Sequence, residues 1–181
     1  MNKGFHYLFI GFLLILVDLR FIIDVLPDAL GYFFISKGIT KTAQSHKHYG
    51  KLYFATCILI IVAIPFDLYI NITSNLLNYL MFTFRVIWVV YLYYLLSILY
   101  SHLVKEDYLY LAASLKSLSN KVPIILLISL FISLFLMNIP QNWARILGIF
   151  IAVVEATTSV WMIVEFYRLS KTNEREQVIS K

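Results

Sequence analysis

The stretch LVDLRFIIDVLPDALGYFFI, residues 16–35, decides the fold because it interrupts an apolar N-terminal region with a group of charged residues. These are Asp18, Arg20, Asp24 and Asp28. Pro27 lacks a backbone N–H and disfavours helical geometry at the residue before it, so one helix should end there and a second should begin with Pro27 in its first turn. The stretch therefore predicts a short, broken helical hairpin.

The charges of this stretch have a local explanation at the end of such a hairpin. At the start of the second helix, the free N–H groups and the positive end of the helix dipole would stabilise the carboxylate of Asp28. Arg20 and Asp24 are four residues apart and can pair if that segment keeps a helical turn. Gly31 would allow a neighbouring helix to approach closely. A solvated loop is the alternative interpretation.

The composition places the chain among membrane proteins. Of its 181 residues, 61% are hydrophobic and only 14% are charged, and the mean hydropathy is +0.81, which is far above the values of soluble domains. A spanning helix needs about 20 apolar residues, so the chain has room for about six spans with short loops. The basic residues are scattered through loops and form no stripe, which excludes nucleic acid as a partner. The expected partner is the lipid bilayer.

We predict an all-α fold, a polytopic transmembrane helical bundle that forms one domain over residues 1–170 and ends in a polar cytoplasmic tail, 171–181. The expected spans are about 5–23, 27–43, 51–70, 76–100, 122–138 and 143–167. Residues 106–119 present one apolar helical face and predict an interfacial helix on the cytoplasmic leaflet. That face consists of Tyr108, Leu111, Ala112, Leu115 and Leu118.

The distribution of basic residues predicts the orientation. All ten lysines fall on one side of the six-span arrangement, and the positive-inside rule assigns that side to the cytoplasm, with both termini. If the first hairpin does not cross fully, only the N-terminus changes sides. The basic residues at or within the outer half are Arg20, Arg85 and Arg145.

Charged residues of the outer half form a predicted binding pocket. Its members are Arg20, Asp24, Asp28, Asp67, Arg85 and Glu155. Charges within spans cost at least about 2.5 kcal/mol each on insertion scales, so they usually pair, face the bundle interior or line a wet cavity. Arg85 and Glu155 are expected at one depth and close together, with Asp67 as a competing partner for Arg85. A structural salt bridge and a ligand site are both compatible with this pattern.

The pattern DLRFIIDVLPDALGY, residues 18–32, resembles the N-terminal motif I-D-x-L-P-D-x-x-G-Y of a group of small, uncharacterised multi-span membrane proteins of Gram-positive bacteria. The resemblance implies a bacterial cytoplasmic membrane and no established activity. It singles out, without assigning roles, the motif positions Asp18, Asp24, Pro27, Asp28, Gly31 and Tyr32.

Catalytic and metal-binding patterns are missing from the sequence. The histidines fall at predicted cytoplasmic ends or loops, away from the acidic residues, so neither a His–carboxylate base nor a zinc site is expected. A single cysteine, Cys57, excludes an internal disulfide framework. Asp24 and Asp28 supply two carboxylates without a third ligand. We therefore predict no metal and no cofactor.

Three functions agree with these features. The first is binding or transport of a small solute or a lipid head group through an outward-facing charged pocket. The second is an accessory or regulatory subunit that packs against a larger membrane protein or a second copy of itself. The third is a membrane enzyme acting on a lipid-linked substrate, which would need Glu155, Asp24 or Asp28 as an acid or base. The sequence favours a function other than catalysis.

Overall fold

The computed structural model of the protein describes a helical chain with three internal gaps. It describes the backbone of residues 2–16, 28–68, 75–136 and 139–179, and the side chains in these ranges apart from 2, 64–68, 75–78, 81 and 172–179. The helices are α1 (Asn2–Leu16), α2 (Asp28–Ala43), α3 (Tyr49–Leu68), α4 (Asn75–Lys105), α5 (Leu109–Leu136) and α6 (Gln141–Ile179). All regular structure in these ranges is helical, which confirms the all-α prediction.

Three of these helices are long and apolar enough to cross a membrane. They are Phe82–Lys105 within α4, all of α5, and Gln141–Lys171 within α6. Lys3–Leu16 and Tyr49–Ala63 are shorter apolar helices. The described part of α1 has 15 residues, and the residues that follow it, 17–27, lie outside the described structure. The three long apolar helices support the conclusion that the chain is a membrane protein. The number of six spans stays a prediction.

Large apolar side chains cover the outer surface of α5 and α6. Those exposed over more than half of their surface include Ile124, Ile128, Phe131, Phe135, Trp143, Ile146, Ile149, Phe150 and Val153. A soluble protein rarely exposes a contiguous apolar patch of this extent. These faces fit contact with lipid chains.

Residues 106–119 differ from the expectation of an interfacial helix. The chain reverses directly after α4 through Asp107, whose backbone is left-handed with φ of 60°, and α5 then continues unbroken through Pro123. The predicted apolar face is at most 2% exposed at Leu111, Ala112, Leu115 and Leu118. Because the turn is so short, the beginning of α5 runs back along α4. Its apolar face therefore packs against protein instead of lying on a leaflet.

Glycines bring the backbones of α1 and α2 into contact. A Cβ added at Gly11 would lie 2.7 Å from the carbonyl oxygen of Gly31, and one added at Gly38 would lie 3.0 Å from that of Gly4. The two glycines of each helix are seven residues apart, so the contacts follow one stripe. Close packing of small residues is a main source of helix association in membranes. The close approach expected at Gly31 is confirmed.

The six helices form a ring. In this ring α1 packs between α2 and α6, α3 lies against α2, α5 lies between α6 and α4, and α4 touches α2 and α3 at a few positions.

An aromatic cluster inside the ring consists of Phe12, Tyr32, Trp88 and Phe166. The rings of Phe12 and Phe166 stack with 5.0 Å between their centroids, and the rings of Tyr32 and Trp88 meet edge to face at 5.3 Å. Phe12 and Trp88 lie 6.2 Å apart. The cluster therefore ties α1 and α2 to α4 and α6.

We expect Gly11→Ala to destabilise the protein, because its Cβ would meet the backbone of α2, which cannot move aside as a side chain can. The expected cost is about 1–3 kcal/mol, as for overpacked cores, measured as a lower midpoint of thermal unfolding in detergent. Gly148→Ala is the matched control, since the nearest atom to its added Cβ is 4.0 Å away, and it should leave stability unchanged or raise it by up to about 1 kcal/mol. Equal effects of the two substitutions would contradict the close contact.

Candidate ligand-binding cavity

A cavity of about 310 Å³ lies inside the ring, between α1, α4, α5 and α6. Its polar wall residues are Arg85 on α4 and Glu155, Thr158 and Ser159 on α6. Its apolar wall residues are Phe12, Ile15, Leu16, Trp88, Val89, Leu92, Val122, Leu126, Leu130 and Met162. A mainly apolar wall with a few convergent polar groups is typical of a ligand-binding pocket, and this volume is at the small end of the usual range.

The structure brings Arg85 and Glu155 to this one cavity, as the sequence predicted. The side chain of Arg85 is exposed and that of Glu155 is half-buried. Among the side chains that the structure describes, neither residue takes part in an ion pair within 4.0 Å. Their helices, α4 and α6, share no close backbone contact, because the cavity lies between them. The expected intramembrane salt bridge is therefore not found between these two residues.

The hydroxyl groups of Thr158 and Ser159 on the α6 wall donate their hydrogens to backbone carbonyls of the same helix. Thr158 Oγ1 donates to the carbonyl oxygen of Val154 at 2.8 Å, and Ser159 Oγ donates to that of Glu155 at 2.9 Å. A hydroxyl has one hydrogen and two lone pairs. With its hydrogen used by the helix, each of these oxygens can act only as an acceptor toward the cavity.

Aromatic packing supports part of the cavity wall. Trp88 and Phe12 belong both to the wall and to the aromatic cluster of the ring, and the buried Phe166 lies behind Phe12. Trp88 also stacks on Tyr91 at 5.6 Å, whose hydroxyl is 2.8 Å from that of the buried Thr56. Trp88 on the cavity wall is therefore packed against residues of α1, α2 and α4.

Of the other residues of the predicted pocket, only Asp28 has a described side chain. Arg20, Asp24, Asp18 and Pro27 lie outside the described residues, and so does the side chain of Asp67. Asp28 lies in the first turn of α2, as predicted, but it is not among the wall residues. Of the motif positions, Gly31 makes the α1–α2 contact, and Tyr32 is 2% exposed and packs on Trp88. Gly31 therefore supports the packing of α1 on α2, and Tyr32 supports Trp88 on the cavity wall.

Sequence reasoning missed Thr158 and Ser159. They follow Glu155 by three and four residues, a spacing that places all three side chains on one face of a helix. This spacing could have predicted that Thr158 and Ser159 lie beside Glu155, because it extends the polar face of the helix by one turn. The apolar wall gave no comparable signal, since its residues come from four helices and look like any other span residues.

A second groove, of about 480 Å³, lies along α4 and α5 and is distinct from the central cavity. Val90, Tyr93 and Ile124 on its wall are each more than half exposed. The buried Val89 lines both spaces. Neither Arg85 nor Glu155 reaches this groove, which therefore belongs to the apolar outer surface.

Two polar groups outside the cavity, at Glu165 and at His46, have partners in the described structure. Glu165 on α6 accepts a hydrogen bond from Ser114 Oγ on α5 at 2.8 Å, which links the two helices. Glu165 also pairs with Arg168 on its own helix at 3.0 Å. In the turn between α2 and α3, the backbone N–H of His48 donates to His46 Nδ1 at 3.2 Å. The pKa of His46 is lowered, first by partial burial and then by the positive charge of neighbours that include Lys105. Within the described residues, no group of three His, Cys, Asp or Glu side chains could hold a metal ion.

No protein-family model matches this chain, and no curated protein or solved structure is detectably similar to it. The case for a function therefore depends on the cavity and its two charged residues.

If water enters the cavity, we expect a cysteine at position 159 to react with a charged, membrane-impermeant thiol reagent, because thiols react as thiolates and ionise only where water reaches them. The experiment uses Ser159→Cys in a Cys57→Ala background. Thr157→Cys is the matched control, since Thr157 makes the same kind of hydroxyl-to-backbone bond but lies on the exposed outer face of α6. Labelling at 159 and not at 157 is the expected result. The reverse pattern would contradict a water-accessible cavity.

Proposed function

We propose that the protein binds or transports a small solute or a lipid head group in the central cavity. One observation carries this proposal. Arg85 and Glu155 project from α4 and α6 into the same mainly apolar cavity, and among the described side chains they are paired neither with each other nor with another charged group. A site with this composition favours a ligand that has both polar and apolar parts.

Unpaired charge on the wall of an apolar cavity has an energetic cost. A charged group in an apolar environment is costly unless water, an opposite charge or hydrogen bonds compensate for it. A structural salt bridge would provide that compensation within the protein, but Arg85 and Glu155 make no such bridge with each other. Water can compensate in the empty cavity, and a ligand that displaces the water must then supply the partners. These two residues would therefore select the ligand.

We expect Ser159→Phe to abolish ligand binding, since the added ring would fill part of a cavity of only about 310 Å³. The measurement is native mass spectrometry of the protein after mild detergent extraction, which detects retained small molecules or lipids. Thr157→Phe is the control, because it adds the same ring to the outer face of α6. The natural sequence and Thr157→Phe should retain a bound species that Ser159→Phe loses. No such difference would contradict the proposal.

The same preparations distinguish the two alternatives. An accessory subunit would tolerate Ser159→Phe, Arg85→Gln and Glu155→Gln while still co-purifying with a partner protein. An enzyme that uses Glu155 would retain its ligand but lose turnover in Glu155→Gln. If Arg85→Gln or Glu155→Gln instead prevents the protein from accumulating, these residues are structural.

We further propose that the protein resides in a bacterial cytoplasmic membrane with both termini in the cytoplasm. The lysine distribution supports this orientation, and the motif resemblance at residues 18–32 supports the bacterial origin. In this orientation the turn between α2 and α3 faces the cytoplasm and the turn between α5 and α6 faces outward.

Cysteine labelling of intact cells measures this orientation. In the Cys57→Ala background, Asn142→Cys should react with an impermeant reagent added outside, whereas Ser45→Cys should react only after the membrane is permeabilised. Both parent side chains are exposed in turns or at a helix start. Labelling of position 45 in intact cells would reverse the proposed orientation.

A further inference from the structure

The two charges of the cavity impose a constraint on the ligand. Arg85 can only donate hydrogen bonds and carries a positive charge, whereas the carboxylate of Glu155 can only accept them when it is ionised. A ligand with a single charge would satisfy one of these residues and leave the other facing an apolar wall. A ligand with one anionic and one cationic group satisfies both, which is the less costly arrangement.

The hydroxyl groups define which cation fits. On the α6 wall, Glu155, Thr158 and Ser159 present only acceptors to the cavity, because both hydroxyl hydrogens are used by backbone carbonyls. A primary ammonium group has three N–H donors for such acceptors. A quaternary ammonium has none, so it would leave these oxygens without a hydrogen-bond partner after it displaced water.

The anionic group is assigned to the opposite wall. The planar guanidinium of Arg85 suits two-point binding of a carboxylate or a phosphate. It lies on α4, across the cavity from Glu155 on α6. The ligand therefore bridges two helices that have no close backbone contact with each other.

We propose, as an extension of the proposed function, that the cavity binds a zwitterion with a primary ammonium and an anionic group, as in the head group of an aminophospholipid. The ammonium lies against Glu155, Thr158 and Ser159, and the anionic group lies against Arg85. The apolar wall contacts the carbon skeleton. A cavity of about 310 Å³ is small among ligand pockets and accommodates a head group, with the acyl chains extending beyond it.

The test uses the fluorescence of Trp88, which lines the cavity. Trp143→Phe and Trp161→Phe remove the other two tryptophans of the chain. The purified full-length protein in detergent is titrated separately with short-chain phosphatidylethanolamine, phosphatidylcholine and phosphatidylglycerol. Free leucine serves as a soluble zwitterion that has no phosphate. Saturable binding of phosphatidylethanolamine, about tenfold or more tighter than of the other two lipids, is expected from the loss of charge-assisted hydrogen bonds in the latter.

Charge-neutral variants of Glu155 and Arg85 test which residue binds the ammonium and which binds the anionic group. Glu155→Gln should weaken phosphatidylethanolamine binding about tenfold or more and remove the preference over phosphatidylglycerol. Arg85→Gln should weaken the binding of all three lipids, because each carries a phosphate. Arg145→Gln and Glu106→Gln are the controls: both parent side chains are exposed and lie away from the cavity wall, and both variants should bind as the parent does.

The outcomes separate this proposal from the proposed function. If all three lipids bind equally well and Ser159→Phe abolishes their binding, the zwitterion assignment is overturned, but the proposed binding function is supported. Tighter binding of the quaternary or the anionic lipid would also overturn it. If leucine binds saturably and its binding also depends on Arg85 and Glu155, the proposed zwitterionic ligand is supported, and it is a free solute instead of a lipid head group. If neither the lipids nor leucine bind saturably, both proposals fail.

Discussion

Backbone contact between α1 and α2 is the constraint on which the rest of the bundle depends. Inside a membrane, helices gain little from hiding apolar side chains from lipid, so close packing has to hold them together. Four glycines allow this packing by removing the Cβ atoms that would keep the two backbones apart. The short α1 is thereby fixed against α2, and its other side can pack on α6.

The position of α1 then determines the cavity. Phe12, Ile15 and Leu16 project from α1 into the space between α4, α5 and α6 and form part of its wall. Phe12 also connects Trp88 on α4 with Phe166 on α6, two helices whose backbones stay apart. Aromatic contacts through Phe12 therefore link α4 and α6, and the cavity occupies space between these two helices.

The cavity combines features that favour different ligands when they are taken separately. Its apolar wall alone would suit a hydrocarbon, and its two charges alone would suit a polar solute. Arg85 and Glu155 have opposite signs and do not pair with each other among the described side chains, and this is why we propose a ligand that carries both charges on an apolar body. The hydroxyl hydrogens of Thr158 and Ser159 are used by backbone carbonyls, so the proposed ligand carries hydrogen-bond donors.

The sequence by itself determined that the protein is helical and apolar enough to enter a membrane, and it predicted that Arg85 and Glu155 lie near each other. Hydropathy and the cost of intramembrane charge are properties of composition and spacing, so they can be read without a fold. Only the tertiary structure decided that Leu111 and Leu115 face protein instead of a leaflet, that Arg85 and Glu155 share a cavity without forming an ion pair, and which apolar residues form its wall. These outcomes depend on which helices become neighbours and how closely they approach, and that depends on packing between segments far apart in the chain.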